Sequence, residues 1–481
     1  MSGTSTRRGA RSDRKDTSEL GRSQWSVDEQ RSAGRDLRRA VARSEHAGWS
    51  PAQDRADPVA LLLGEEHDRV GELLPIRHAR MAASPFAFLR GSAAVMAGDL
   101  ARTPSTNIIV QSCGDCHLSN FGVFATPERR LVFDINDFDE TYPAPFEWDL
   151  KRLAASFAVA ARGLGVKESQ AEAAVRACVR LYRERTLANA RLSALDVWHQ
   201  SILVDAVLEV LLPGAGRSER KKTKKALRKA QSRTNLSALR RFAEKTKDGW
   251  RIKPEPPLIV AYERRQEVQA GLERLFEEYA DTLTPEHRAL FERYRLTDFA
   301  RKVVGVGSVG TEAFMFLFMG PGDDDPLFLQ LKQAGRSVLA PFVDAPEVMH
   351  EGRRVVDGQR MMQAASDVFL GWARGGPDGG QDFYLRQLRD MKGSAEIDFM
   401  SVRELEVYAA LCGAALARAH SRSGQAATIA GYLGKSHVFD RAIARFAFDY
   451  AAQTERDHHT FTDAIAAGRL EVPAGSHPES R

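Results

Sequence analysis

The segment Cys113-Gly114-Asp115-Cys116-His117-Leu118-Ser119-Asn120, followed by Leu131-Val132-Phe133-Asp134-Ile135-Asn136-Asp137-Phe138-Asp139, concentrates the groups of this chain that can do chemistry. Asp115 and Asn120 share one loop, at a spacing that suits a catalytic carboxylate and a metal-binding amide. Asp134 follows a strand-like run, which puts a hard oxygen ligand at a strand end, as magnesium prefers. Asp137 and Asp139 are further candidates just beyond, and Asp137 takes the metal role if the strand runs longer. Phosphoryl transfer needs little more than these parts and cations for the phosphates.

The same letters also spell C-x-x-C-H, the pattern of covalent haem attachment. Haem would need export and maturation, and it leaves Asn120, Asp134 and Asp149 unexplained. A thioredoxin-like C-x-x-C needs a helix N-terminus after a strand to lower a thiol pKa, whereas His117 to Asn120 read as loop. A zinc site at Cys113, Cys116 and His117 would need a distant fourth ligand, such as His420 or His437.

A second constellation comes late in the chain. Gly305-Val306-Gly307-Ser308-Val309-Gly310 fits G-x-G-x-x-G between two predicted strands, a context that suits a phosphate-covering hairpin rather than a dinucleotide fold. Gly305, Gly307, Ser308 and Gly310 are therefore nucleotide-binding candidates. Lys332 ends the strand-like Phe328-Leu329-Gln330-Leu331, where a third-strand lysine reaches the α- and β-phosphates. Glu351, near the start of the next predicted helix, could orient that lysine; Glu347 and Asp357 compete for the role, and a surface carboxylate is the plainer reading. Arg90 either pairs with a buried carboxylate or holds a substrate phosphate.

In these motifs the sequence resembles the aminoglycoside phosphotransferase and choline kinase branch of the protein-kinase-like superfamily. Gly114-Asp115 with Asn120, Phe133-Asp134 with Asp137, and Trp148-Asp149-Leu150 follow that branch's loop, acidic strand end and helix head. The resemblance implies Asp115 as catalytic base, Asn120 and Asp134 as magnesium ligands, and Asp149 as a buttress of the loop. Cys113 stands where the branch usually has His. His420 is a core histidine or a hydrogen-bond partner of the catalytic segment. The order of the two halves is reversed relative to kinases, so the expected fold is α+β, two-lobed, kinase-like and circularly permuted. Much of the chain also resembles an uncharacterised bacterial family, domain of unknown function 2252. The blocks that carry this resemblance include Ser84-Pro85-Phe86, Asn136-Asp137-Phe138-Asp139-Glu140, Phe146-Glu147-Trp148-Asp149 and Gln363-Ala364-Ala365-Ser366-Asp367.

The elements that must position these residues divide the chain as follows. Residues 1–57 are polar and aperiodic and read as a disordered tail. Residues 58–297 read as a catalytic-loop and helical lobe, with a basic helical insertion over about 192–294. Residues 298–400 read as a Gly-rich β lobe, 401–470 as helices completing the helical lobe, and 471–481 as a second tail. The basic run around Lys221 to Lys225 reads as a solvated helix or as an anion-facing surface. A net charge of +5 over 481 residues does not point to nucleic acid. No apolar run of membrane-spanning length and no signal segment is visible, and four cysteines suggest no disulfide framework. The cytoplasm is the expected compartment. The expected activity is ATP- and Mg²⁺-dependent phosphotransfer to a hydroxyl-bearing small molecule or protein. The alternatives are nucleotidyl transfer or a pseudokinase-type module that binds nucleotide without turnover.

Overall fold

The computed structural model describes residues 25–211, 216, 221, 225, 227–247, 249–261, 266–303, 309–322, 324–375, 380–388 and 391–473. The chain has a mixed α+β fold with several antiparallel sheets. Gly305, Gly307, Ser308 and much of the Lys221–Lys225 run lie outside the described residues.

The helical part is built on Phe146–Gly163, Glu168–Asn189, Val402–His420 and Val438–Ala466. Their apolar faces meet in one core that includes Leu150, Phe157, Val179, Leu416 and Ile443. The Phe146 helix has almost no solvent face, since it is buried from Phe146 through Ala161. That accounts for its run of Ala, Leu and Phe in place of a clean amphipathic stripe. On this body lie the hairpin of β2 (Phe121–Ala125) and β3 (Leu131–Ile135) and the pair of β1 (Ile109–Ser112) and β4 (Tyr142–Pro145).

The larger sheet has the order β11-β12-β10-β9-β8-β7. Here β7 is Ile259–Ala261, β8 Arg295–Lys302, β9 Ala313–Met319, β10 Pro326–Gln333, β11 Gly371–Gly375 and β12 Gln381–Gln387. Strand β9 is apolar on both faces because both are covered. Phe314, Phe316 and Phe318 pack toward the helix Gln266–Asp281, while Met315 and Leu317 pack toward Phe242. The insertion is thus more than a solvated helix: Asn235–Phe242 and the hairpin of β5 (Ala243–Thr246) and β6 (Gly249–Ile252) supply one cover of the sheet, and Gln266–Asp281 the other. Strand β7 also joins the sheet from within the segment expected to be helical.

Of the expected tail over 1–57, residues 1–24 lie outside the described residues, and the rest is folded. From Trp25 the chain is described, and Val27–Asp36 is a helix with a Ser26/Glu29 capping box. Its docking uses close approach and polar contacts, so a search for an apolar stripe misses it. Arg38 Nε donates to Tyr432 O at 2.8 Å and Arg43 Nη1 to Leu433 O at 2.6 Å. These contacts satisfy carbonyls at the end of the helix Ala426–Leu433 that have no partner within it. A Cβ on Gly34 would stand 2.0 Å from the Thr428 carbonyl oxygen. Replacing Gly34 with Val should therefore cost about 2 kcal/mol or more in denaturant unfolding. Gly64→Ala, where nothing stands within 4 Å of the new methyl, should cost nothing.

Candidate functional site

The loop after β1 turns sharply at Gly114, whose φ is +84 and whose missing Cβ would stand 2.0 Å from Glu140 O. No other residue fits both the dihedral and the space. The Asp149 carboxylate, in the first turn of the Phe146 helix, accepts from Cys113 N at 2.7 Å and Gly114 N at 3.0 Å. His420 Nε2 lies 3.1 Å from Asp149, and its Nδ1 lies 2.9 Å from the Tyr182 hydroxyl. This buried chain Tyr182–His420–Asp149 fixes the loop backbone from below.

Asp115 then faces a cleft of about 250 Å³ that is also lined by Arg90, His117, Asn120, Asp137 and Asp139. Its Oδ1 accepts from Arg152 Nε at 2.6 Å, and Arg152 Nη2 donates to Leu89 O at 2.9 Å. Asn120 Nδ2 donates to the Asp115 carbonyl at 2.8 Å. His117 Nε2 is 3.7 Å from Asp115 Oδ2. Burial, opposed by Asp115, lowers His117 to about 3, so the ring is neutral near pH 7. Cys113 lines the cleft and its Sγ donates to Asp137 O at 3.3 Å. Cys113 and Cys116 are buried free thiols. The Cys116 thiol lowers Cys113, but burial and Asp149 outweigh it and push Cys113 up to about 11. Burial likewise pushes Cys116 well up. Among the described residues, no three His, Cys, Asp or Glu side chains are grouped to hold a metal.

Asp134 does not line the cleft. It is fully buried, its Oδ1 accepts from Arg418 Nη2 at 2.6 Å and from Ile135 N at 2.9 Å, and its Oδ2 accepts from Ala364 N at 2.8 Å. With both oxygens accepting hydrogen bonds, Asp134 ties β3 to the Val402 helix. The position beyond the strand end differs. Asp137 lines the cleft, and its Oδ1 is buried without a hydrogen-bond partner. Burial, then Asp139, raises its pKa, against Lys332 and Arg386. A buried carboxylate oxygen without a donor fits a cation ligand. Magnesium is held by one or two carboxylates plus substrate phosphates.

From the sheet side, Lys332 on β10 and Tyr384 on β12 are register partners, and Arg386 follows two residues on, so the pleat aims all three at the same face. Lys332 Nζ lies 2.5 Å from Asp139 Oδ2, and the Tyr384 hydroxyl donates to Asp139 Oδ1 at 2.5 Å. Burial pushes Asp139 up, but Lys332 and Arg386 outweigh it and hold it well below the usual carboxylate range. Lys332 is raised because Asp139, Tyr384 and Asp137 outweigh its burial. Glu351, expected to orient Lys332, is bonded instead to Arg354 in its own helix, Glu351–Met362. Arg354 carries the coupling, since it donates to Thr141 O at 2.6 Å, Asp139 O at 2.9 Å and Gly335 O at 2.8 Å. Of the Gly-rich motif, Gly310 is described. Its carbonyl accepts from Val70 N at 2.7 Å, and Val309 O accepts from Arg69 Nη1 at 2.8 Å.

Sequence reasoning missed Arg152, Arg354, Tyr384 and Arg386. Only Arg152 carried a signal: it lies one helical turn after Asp149, on the same face.

The chain matches, over residues 69–464, the family described as uncharacterised protein conserved in bacteria (DUF2252), and it belongs to that family. No curated protein and no solved structure matches it. No described helix is long and apolar enough to cross a membrane.

Two measurements check this geometry. Asp134→Asn should cost about 3 kcal/mol in unfolding free energy because it strips Arg418 of its buried partner, whereas Asp137→Asn should leave stability unchanged or higher. Glu140, pushed up by burial to about 7 from 4.5 against Arg354 and the Val338 N–H, is more easily protonated folded than unfolded. Its contribution is complete below about pH 4.5 and fades as pH rises through about 7. The stability difference between Glu140→Gln and wild type should therefore grow from near zero in acid to on the order of 3 kcal/mol at about pH 8.

Proposed function

We propose that this protein is a magnesium-dependent, ATP-using phosphotransferase acting on a hydroxyl group, on a two-lobed, kinase-like and circularly permuted fold. The observation that carries the reading is the meeting of Lys332 with Asp139 across 193 residues of sequence. It brings the late lysine onto Asp139, which lines the cleft together with Asp115, Asn120 and Asp137. The order of parts supports it. Strands β8, β9 and β10 run consecutively antiparallel, the Gly-rich motif falls between the first two, the lysine is on the third, and a helix follows. Protein kinases hold nucleotide phosphates with such parts.

In this reading Asn120 and Asp137 would hold magnesium, which would neutralise charge on the phosphate oxygens. Asp115, fixed by Arg152, orients the acceptor hydroxyl and takes its proton. Lys332 supplies positive charge to the phosphates once Asp139 shares it. Asp149, His420 and Tyr182 keep the loop in place without touching substrate. Nucleotidyl transfer is a second reading, favoured by one observation: among the described residues Lys332 pairs with Asp139 while Glu351 pairs with Arg354, an arrangement that differs from the lysine–glutamate pair of protein kinases.

The test is calorimetry with ATP and magnesium, followed by product analysis. Wild type should bind ATP only with magnesium and should release ADP. Asp115→Asn should keep nucleotide affinity while kcat falls by about 10²–10⁴. Asp137→Asn should lose magnesium-dependent binding. AMP and pyrophosphate as products would mark nucleotidyl transfer, binding without turnover a pseudoenzyme, and no magnesium-dependent binding would sink the reading.

A further inference from the structure

The charges of the cleft do not all cancel. Asp115 is paired with Arg152, and Asp139 with Lys332. Asp137 is the carboxylate assigned above to the metal. The cleft is lined as well by Glu65, Asp68, Arg69, Glu140 and Arg336, and by Arg90 at the end of the helix Pro85–Gly91. The Nε of Arg90 is buried without a hydrogen-bond partner. Asp115 and Asp137 act on it only through space, against the burial that lowers its pKa.

The placement is built, not incidental. Ser84 caps the helix by accepting from Ala87 N at 3.1 Å, and Phe88 and Leu89 anchor it in the interior. The Leu89 carbonyl is held by Arg152, the side chain that also holds Asp115. Arg90 and Asp115 are thus referred to one common support. Leaving a buried N–H without an acceptor is unfavourable, and the Nε of Arg90, left so on a partly exposed side chain at the wall of the cleft, marks the place of an anion.

We propose that Arg90 anchors an oxyanion, a carboxylate or a phosphate monoester, on a small hydroxyl-bearing acceptor, and so sets that hydroxyl at Asp115. The cleft of about 250 Å³, room for roughly eight waters, suits a small metabolite better than a folded polypeptide. Transfer then balances simply. The acceptor oxygen bonds the γ-phosphorus, the bond to the β-phosphate oxygen breaks with its electron pair leaving on ADP, and the hydroxyl proton passes to Asp115. The anion at Arg90 is unchanged. The transfer step rests on the proposed function, and the anion site draws on it only in giving Asp137 to the metal.

The experiment is calorimetry on the nucleotide-free full chain. Probes are inorganic phosphate and acetate as minimal oxyanions, then glycerol 3-phosphate, glycerate and glycerol as a matched set. Wild type should bind at least one anion of the set and not glycerol, and the preferred arm separates phosphate from carboxylate. Arg90→Gln should weaken that binding at least tenfold, and Arg90→Lys should retain part of it. MgATP affinity should stay within twofold, with an unchanged unfolding midpoint confirming the fold. Binding of no anion by wild type, or equal binding by Arg90→Gln, overturns the proposal. A tenfold loss of MgATP affinity in Arg90→Gln also overturns it, by moving Arg90 to the nucleotide. Arg90-dependent anion binding by a wild type that ignores MgATP would support the site while removing the phosphotransfer reading.

Discussion

The contact of Lys332 and Tyr384 with Asp139 is the constraint on which the rest of the molecule hangs. It joins the large sheet to the acidic segment after β3. Arg354 reinforces that joint through the backbone of Asp139 and Thr141. Apolar packing joins the sheet and the helical body as well, since Tyr384, Val356 and Met362 share one core with Leu150 and Leu416. Through the joint, groups from distant parts of the sequence share one cleft. The charges involved are not a stability device in themselves, because burying ions costs about what their pairing returns. Their effect is positional.

Around that joint, three buried polar assemblies hold the loop side in place. Asp149 fixes the loop backbone and is itself held by His420. Arg152 fixes the Asp115 side chain, and Asp134 with Arg418 pins the end of β3. Each assembly links elements distant in sequence, and each places its carboxylates and cations within hydrogen-bond reach. A cluster built this way has little left to reorganise. Arg90 is the exception, a cation at the cleft wall whose buried Nε has no hydrogen-bond partner, and for that reason it points to a ligand.

The sequence made much of this legible, through local pattern. The Asp115–Asn120 loop, the acidic cluster after a strand and the Gly-rich motif ahead of Lys332 are short-range features, and Asp115, Asn120 and Asp137 do line one cleft. The choice between Asp134 and Asp137 was not legible. Strand β3 is buried on both faces, so alternation could not say which Asp points inward, and Arg418, which claims Asp134, lies 284 residues away. Glu351 failed for a similar reason: a nearer cation in its own helix captured it. The N-terminal segment deceived through composition, because arginine-to-carbonyl contacts and a glycine crossing leave no apolar period.

The most direct test of the central claim is a crystal structure with manganese and a non-hydrolysable ATP analogue, with the metal located by anomalous scattering. The account predicts a metal peak between Asn120 and Asp137, the terminal phosphate facing Asp115, and Lys332 on the phosphates. A metal peak at Asp134, or a nucleotide bound away from the cleft between Lys332 and Asp137, would contradict it.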